Sequence, residues 1–230
     1  MTIRLATYNI HKLVGRDGKR DEARIFAIIA ALNADILALQ EFVLPDHSAN
    51  IAAAKAFAEK AGYICVAQPL RRLKGMMQFN LLLTRTPVLA CNLVTLPQGG
   101  NEPRGAIHAM VDIAGRKIQI AATHLGLDPW ARMRQLKIIL DLGGQDEETP
   151  FALLGDLNIL FPWEAARRHL AKIFAGQTQP ASFPARLPLL AVDAIYLRHA
   201  KSISSVRIFS ENSARDASDH LPLVADIALG

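Results

Sequence analysis

The chain has 230 residues, of which 51% are hydrophobic, and this favours one domain spanning residues 1–230 with a large core. Its 26 lysine and arginine residues exceed its 21 aspartate and glutamate residues, and the net charge of +5 favours an anionic substrate. No apolar run approaches the ~18 residues of a membrane span, and the first residues are typical of a strand rather than a signal peptide, so we expect a cytoplasmic protein without a transmembrane segment.

Strand-like and helix-like segments alternate at the start of the chain. Residues 3–8 and 35–39 are short apolar runs typical of strands. Asp21 precedes apolar residues at helical spacing and is expected to be an N-cap. Ser48 is expected to cap a second helix over residues 51–61.

The rest of the chain is richer in strands. Strands are predicted at 63–67, 80–84, 88–96, 106–114, 117–123, 151–154, 192–197, 204–209 and 221–227. Asp128 and Pro129 predict the start of a third helix, and a fourth apolar stripe at helical spacing runs from Trp163 to Ile173. Many strands and few helices favour an α/β (α+β) fold with two packed β-sheets covered by helices. Cys65 and Cys91 lie in strand-like segments and are expected to be buried free thiols.

Polar residues with ligand chemistry stand beside several of these apolar runs, where their side chains can project off a sheet edge into a cleft. They are Asn9, Glu41, Asn80, His124, Asp156, Asn158, Asp193, Asp219 and His220. Mg²⁺ prefers oxygen ligands, usually one or two carboxylates with water and substrate phosphate. Carboxamides such as Asn80 and Asn158 can donate hydrogen bonds to phosphate oxygens, and imidazoles can move protons. The set therefore predicts a phosphoester-cleaving site.

Each residue alone also has an ordinary structural explanation. Asp-Leu-Asn after Gly155 is common turn chemistry, and a single histidine after a strand is usually structural. The functional interpretation depends on the joint occurrence of these residues in one order along the chain.

That order resembles the endonuclease/exonuclease/phosphatase superfamily, which includes DNase I-like nucleases, apurinic endonucleases, sphingomyelinases and inositol polyphosphate phosphatases. The resemblance covers essentially the whole chain and is strongest to a small bacterial group. Its motifs are Thr7-Tyr8-Asn9-Ile10-His11, residues 35–41 ending in Gln40-Glu41, Asn80 to Arg85, Pro103-Arg104-Gly105-Ala106, Thr123-His124-Leu125, Gly155-Asp156-Leu157-Asn158, Asp193-Ala194-Ile195 and Ser218-Asp219-His220. It implies a four-layer, DNase I-like sandwich of two mixed sheets flanked by helices.

The resemblance also implies a role for each residue of the set. Glu41 is the principal metal ligand, with Asn9 and Asp219 close to the metal or its waters, and the metal is Mg²⁺, with Mn²⁺ as the alternative. The residues implied to bind the substrate phosphate are Asn80, Arg104 and Asn158. The catalytic residues implied are Asp156, which orients or deprotonates water, His220 steered by Asp193, and His124 as a second phosphate contact or acid.

The sequence therefore predicts a Mg²⁺-dependent phosphoester hydrolase, with a small or lipid phosphodiester favoured as substrate. The alternatives are an endonuclease or exonuclease on DNA or RNA, and an inactive binding module with the same fold. Nucleic acid is not favoured, because the basic residues are scattered and no insertion could wrap a duplex. The apolar segment Leu157 to Trp163 is a candidate lipid-facing patch or a core segment. The oligomeric state stays open.

Overall fold

The computed structural model describes residues 1–46, 50–98, 102–144, 146, 148–200, 202–204, 206–211 and 213–229. The strands are β1 Thr2–Asn9, β2 Ile36–Pro45, β3 Ile64–Leu73, β4 Met76–Thr84, β5 Val88–Leu96, β6 Arg104–Ile113, β7 Arg116–His124, β8 Phe151–Asp156, β9 Asp193–Arg198, β10 Ser202–Ile203, β11 Arg207–Ile208 and β12 Leu223–Ala228. The helices are α1 Glu22–Leu32, α2 Ile51–Lys60, α3 Pro129–Gly144, α4 Ala165–Ile173 and α5 Ala214–Ala217. None of the helices among these residues is long and apolar enough to cross a membrane.

The strands form two mixed sheets. The first has the order β10-β12-β1-β2-β4-β3, with β11 also paired to β12, and the second has the order β5-β6-β7-β8-β9. Strands β1 and β2 are parallel in the first sheet, and β7 and β8 are parallel in the second. The other pairs that surround these two are antiparallel. Parallel neighbours end at the same sheet edge, which brings the last residues of β1, β7 and β8 within reach of a shared site.

Three apolar clusters define four layers. The cluster between the sheets contains Ile3 and Leu5 from β1 together with Ile107 and Ile120 from the second sheet. Helices α1 and α2 cover the outer face of the first sheet, and α3 and α4 cover the outer face of the second. This arrangement confirms the predicted α/β sandwich of two mixed sheets flanked by helices.

Two predicted helix caps are confirmed, and one lies outside the described residues. The side chain of Asp21 accepts a hydrogen bond from the Arg24 backbone N–H, and that of Asp128 accepts one from Ala131. Ser48 lies outside the described residues. Asn50 caps α2 by accepting a hydrogen bond from the backbone N–H of Ala53.

Glycine is required immediately before Asp156. Gly155 has φ of +148°, and a Cβ atom there would lie 2.0 Å from the carbonyl oxygen of Thr123 on β7. Only glycine therefore lets β7 and β8 approach this closely at the edge where the site lies.

Several sequence predictions about position were wrong. Glu41 and Asn80 lie inside β2 and β4 rather than at strand ends. A β-bulge between Leu39 and Phe42 places Glu41 in a left-handed conformation with φ of +59°, and a bulge re-aims a side chain out of the regular alternation. Within the predicted strand 204–209, the described residues contain only the short strand β11, and β10 lies just before this range.

Two predictions of burial were also wrong. Cys65 is buried, but Cys91 is exposed on β5, and both are free thiols. Cys91 is exposed because β5 is an edge strand that is mostly open to solvent. Trp163 precedes α4 and is 67% exposed, so it does not belong to a buried helical stripe.

Candidate active site

Asp156 lies at the centre of a polar cluster at the carboxyl end of β8. Its Oδ2 atom accepts a hydrogen bond from Asn9 Nδ2 at 3.0 Å and lies 3.4 Å from His124 Nε2 and 3.8 Å from His220 Nε2. Its Oδ1 atom accepts a hydrogen bond from the backbone N–H of Asn158. Burial and the nearby Asp193 raise the pKa of Asp156 to about 7. A carboxylate with this pKa is suited to accept a proton near neutral pH.

His220 is held by a buried carboxylate. Its Nδ1 atom lies 2.8 Å from Asp193 Oδ2, and because a carboxylate only accepts, Nδ1 carries the proton of this bond. The hydrogen bond predicted between these residues is therefore confirmed. Burial lowers the pKa of His220, but the charges of Asp193 and Asp156 outweigh it and raise the pKa to about 10. His220 is thus an imidazolium whose Nε2 faces the cluster.

His124 has the opposite electrostatic setting. It is fully buried at the end of β7, and burial together with the positive charge of Arg104 lowers its pKa well below the ordinary value. Its Nδ1 atom has no hydrogen-bond partner in the part of the chain that the structure describes. His124 is therefore neutral at pH 7, and unlike His220 it does not carry the second ring proton of an imidazolium.

Glu41 fits a hard cation. Among the described residues, no donor has hydrogen-bond geometry toward its buried Oε2 atom, and the Lys12 ammonium lies 2.9 Å from that atom. Burial would raise the pKa of Glu41, but His124, Lys12 and His11 lower it to about 2. Since His124 is neutral, the Lys12 ammonium is the main cation acting at pH 7. An ionised, under-coordinated carboxylate oxygen is the kind of ligand that Mg²⁺ or Mn²⁺ takes.

The other residues expected near a metal occupy the same edge. Asn9 pairs with Gln40, the residue before Glu41, in the β1–β2 register, and its Oδ1 accepts a hydrogen bond from the backbone N–H of His11. Asp219 is half-exposed, and its Oδ1 lies 3.8 Å from His11 Nδ1 and 4.0 Å from His220 Nε2. Asn9 and Asp219 thus both contact His11, whose neighbour Lys12 pairs with Glu41.

A second acidic group also has metal-ligand chemistry. Ligand atoms of Asp156, Asp193 and His220 lie within 4.8 Å of one another. Because Asp193 Oδ2 and His220 Nδ1 already bond to each other, this group is better explained as an oriented imidazole beside Asp156.

The residues expected to bind phosphate are buried, and some of their polar atoms already bond to other groups of the protein. Asn80 donates from Nδ2 to the Gly105 carbonyl oxygen, and its Oδ1 has no partner among the residues described. Asn158 donates from Nδ2 to the Leu125 carbonyl oxygen. Arg104 is 5% exposed and pairs with Glu102 at 2.6 Å, and no described residue is a partner of its buried Nε. Among these three, Arg104 offers the clearest positive charge to a phosphate.

Sequence reasoning missed residues that support the site. Lys12 stands in a left-handed turn, with φ of +43°, +59° and +65° at His11, Lys12 and Leu13. No glycine or asparagine occupies that turn, so its conformation has no sequence signal. Ser182 donates its hydroxyl to Asp193, and Ser218 donates to the Asn9 carbonyl oxygen. Only Ser218 had a signal, since it belongs to the Ser-Asp-His motif.

A cavity adjoins the Lys12 side of the site. It has a volume of about 300 Å³ and is lined by Val14, Val43, Leu73 and Met76, with Lys12, Arg20 and Lys74 around it. This size is within the range of small-molecule sites, and the lining combines an apolar body with cationic groups.

The sandwich of two sheets and the polar cluster at its edge are together typical of a class of phosphoester hydrolases. The model of the Endonuclease/Exonuclease/phosphatase family matches residues 6–220, and the chain belongs to this family. Members of the family hydrolyse phosphoester bonds.

Individual relatives agree with this assignment. Escherichia coli YbhP is 30% identical over 162 residues, which cover 65% of this chain and 62% of YbhP. An endonuclease/exonuclease/phosphatase from Beutenbergia cavernae is 25% identical with a TM-score of 0.80, covering 100% of this chain and 72% of that one. ANGEL2, a 2',3'-cyclic phosphatase solved with adenosine-2',3'-vanadate, is 16% identical with a TM-score of 0.73, covering 99% of this chain and 95% of that one. The last likeness concerns the fold alone.

Proposed function

We propose that the protein is a divalent-metal-dependent phosphodiesterase acting on a small or lipid phosphodiester. The observation that carries this proposal is the contact of Asp156 with Asn9, His124 and the His220–Asp193 pair at one sheet edge. The cluster supplies a proton acceptor near neutral pH and an imidazolium within 4 Å of each other.

Each group has a defined task in this proposal. Glu41, with Asn9 and Asp219, would hold Mg²⁺ or Mn²⁺. When bound, the ion supplies positive charge to the phosphate oxygens. Arg104 adds a positive charge that interacts with both Asp156 and Glu41.

The proton transfers follow from the two pKa values. Asp156 accepts a proton from the attacking water as the new bond from oxygen to phosphorus forms. The bond from phosphorus to the leaving oxygen breaks, and His220 donates its Nε2 proton to that oxygen. Neutral His124 cannot supply this proton at pH 7, so we assign it a hydrogen-bonding role beside Asp156.

The surroundings of the site support a small or lipid diester. The cavity beside Lys12 combines apolar walls with cationic groups, which suits a phosphodiester with an apolar substituent. The net charge of +5 is small for duplex binding, which needs several phosphate contacts and weakens steeply with salt. The free cysteines support a cytoplasmic location, where thiols stay reduced.

A substrate panel tests this proposal. Bis-p-nitrophenyl phosphate, a lipid phosphodiester, short RNA and plasmid DNA are offered with Mg²⁺, with Mn²⁺ and with EDTA, in about 150 mM salt. We expect metal-dependent turnover of the small or lipid diester and poor cleavage of the plasmid. Efficient plasmid cleavage that survives the salt and disappears in Asp156→Asn would instead favour a nuclease. Absence of metal-dependent turnover on all four substrates would favour an inactive binding module.

A further inference from the structure

Seven large apolar side chains of the described residues are exposed beside the candidate active site, in three loops and in the first turn of α3, and we call them the apolar rim. The rim consists of Leu127, Trp130, Leu160, Phe161, Trp163, Leu187 and Leu189. Trp130 is 79% exposed and Trp163 is 67% exposed. The chain has only 2 tryptophans, so both lie in this rim. A group of exposed apolar side chains of this kind marks an interaction surface rather than ordinary surface variation.

The three loops that carry the rim all adjoin site residues. Leu127 and Trp130 follow His124 at the end of β7, and the segment from Leu160 to Trp163 follows Asp156 and Asn158. Leu187 and Leu189 belong to the loop whose Phe183 packs on the His220 ring at 4.8 Å. Leu160 and Leu189 line one groove of about 420 Å³, which shows that the second and third loops meet.

Internal contacts hold the first two loops together. The buried guanidinium of Arg132 donates to the carbonyl oxygens of Gly126 and Leu127 and pairs with Glu164. Glu164 in turn accepts hydrogen bonds from the backbone N–H groups of Leu160 and Phe161. The rings of Phe161 and Trp163 stack at 4.8 Å with an angle of 6°. The rim is therefore a built surface that keeps its aromatic side chains in solvent.

The charges around the rim are cationic. Arg134, Arg168 and Arg186 are exposed beside it. The acidic residues within the two aromatic loops are Asp128 and Glu164, and both are used internally, as a helix cap and as the partner of Arg132. The segment 176–192 contains no acidic residue.

Exposed tryptophans, leucines and arginines are the combination that favours an anionic bilayer surface. Tryptophan settles at the boundary between headgroups and acyl chains, and arginine is attracted to anionic lipids. We propose that the apolar rim docks the active-site edge onto an anionic phospholipid bilayer. This inference deepens the proposed function and rests on it only for the claim that the docked enzyme acts on a lipid phosphodiester.

Tryptophan fluorescence tests the docking directly, because both tryptophans lie in the rim. The protein carries Asp156→Asn, so that vesicles are not consumed, and is mixed with phosphatidylglycerol or phosphatidylcholine vesicles. We expect a blue shift of the emission and co-sedimentation with phosphatidylglycerol, and weaker binding to phosphatidylcholine. Binding to phosphatidylglycerol should weaken as salt is raised.

Substitutions in the rim supply the second measurement. The double variant Trp130→Ala with Trp163→Ala should bind phosphatidylglycerol vesicles roughly tenfold or more weakly in co-sedimentation, because both tryptophan contacts with the bilayer are lost. The matched control is Leu89→Ala with Leu93→Ala, two exposed apolar residues on the edge strand β5, which should bind as tightly as the parent. Circular dichroism checks that each variant is folded.

Specific outcomes would overturn the inference. These are no vesicle binding by the folded protein, equal binding by the rim variant and the parent, or an emission already blue-shifted in a dimer without vesicles. Quenching by a short single-stranded oligonucleotide in place of vesicle binding would assign the rim to base stacking instead. Failed vesicle binding by Asp156→Asn, with bis-p-nitrophenyl phosphate still hydrolysed by the parent protein, would refute the docking alone. Vesicle binding by Asp156→Asn, with no metal-dependent hydrolysis by the parent protein, would refute the proposed function alone.

Discussion

The hydrogen bond from His220 Nδ1 to Asp193 fixes the orientation of the ring and favours its charged form. Ser182 donates to the same carboxylate oxygen, and the Phe183 ring packs on His220. The imidazole is therefore restrained from two sides, and its Nε2 atom faces Asp156 and Asp219.

Asp193→Asn should lower the pKa of His220 from about 10 toward its ordinary value, because it removes the charge that favours the imidazolium. NMR titration of the imidazole signals measures this change. A raised folded-state pKa stabilises the fold below pH 6.5, and this contribution is lost as the pH rises through about 10. The free energy of unfolding should therefore depend less on pH in this range in the variant.

The same pair makes a kinetic prediction. Asp193→Asn should reduce turnover by on the order of 10²–10⁴, as loss of an orienting carboxylate does in other enzymes. Combining it with His220→Ala should be no worse than His220→Ala alone, because the residues act as one unit. Additive losses would show that they act independently.

The Lys12 ammonium competes with a divalent cation for Glu41. Lys12→Met removes a positive charge 2.9 Å from the Glu41 carboxylate and should strengthen Mg²⁺ binding roughly fivefold or more, whereas Glu41→Gln should weaken it. Calorimetric titration with Mg²⁺ measures both effects. Lys74→Met is the matched control, since Lys74 lines the same cavity with a similar left-handed backbone. Equal Mg²⁺ affinity in the Lys12 and Lys74 variants would refute the competition.

At the scale of elements, the loops after β7 and β8 act as a pair because Arg132 and Glu164 join them. Arg132 is 1% exposed, so its charge is sheltered from water and depends on these partners. Loss of one member of a buried ion pair leaves the other charge without compensation.

Arg132→Met should therefore lower the free energy of unfolding by about 3–5 kcal/mol. Arg134→Met, on the exposed side of the same helix, should change it by less than about 0.5 kcal/mol. Urea denaturation compares the two variants. Similar small effects would mean that the Arg132 contacts do not stabilise the loops.

Sequence patterns were informative where local chemistry decides structure. Asp21 and Asp128 predicted helix starts because a carboxylate before a helix caps it regardless of tertiary context. Sequence patterns failed to place Glu41, because a β-bulge is set by the pairing between strands and has no local sequence signal. Trp163 followed helical spacing, yet tertiary packing left it in solvent.

At the scale of the molecule, the sandwich joins segments that are distant in sequence. The hydrogen bond from Asn9 to Asp156 spans 147 residues, and that from Ser218 to Asn9 spans 209. The order of polar motifs could be recognised from sequence because it resembles a family. The charge states of His124 and His220 could not, because they depend on burial and neighbours that only the assembled sheets provide.

The most direct measurement of the central claim is the rate of bis-p-nitrophenyl phosphate hydrolysis by the parent protein and by Asp156→Asn. The parent rate should be lost in EDTA and restored by Mg²⁺ or Mn²⁺. Asp156→Asn should stay folded and lose roughly 10²-fold or more, because the proton acceptor is gone. Metal-dependent turnover by Asp156→Asn at the parent rate would contradict the account.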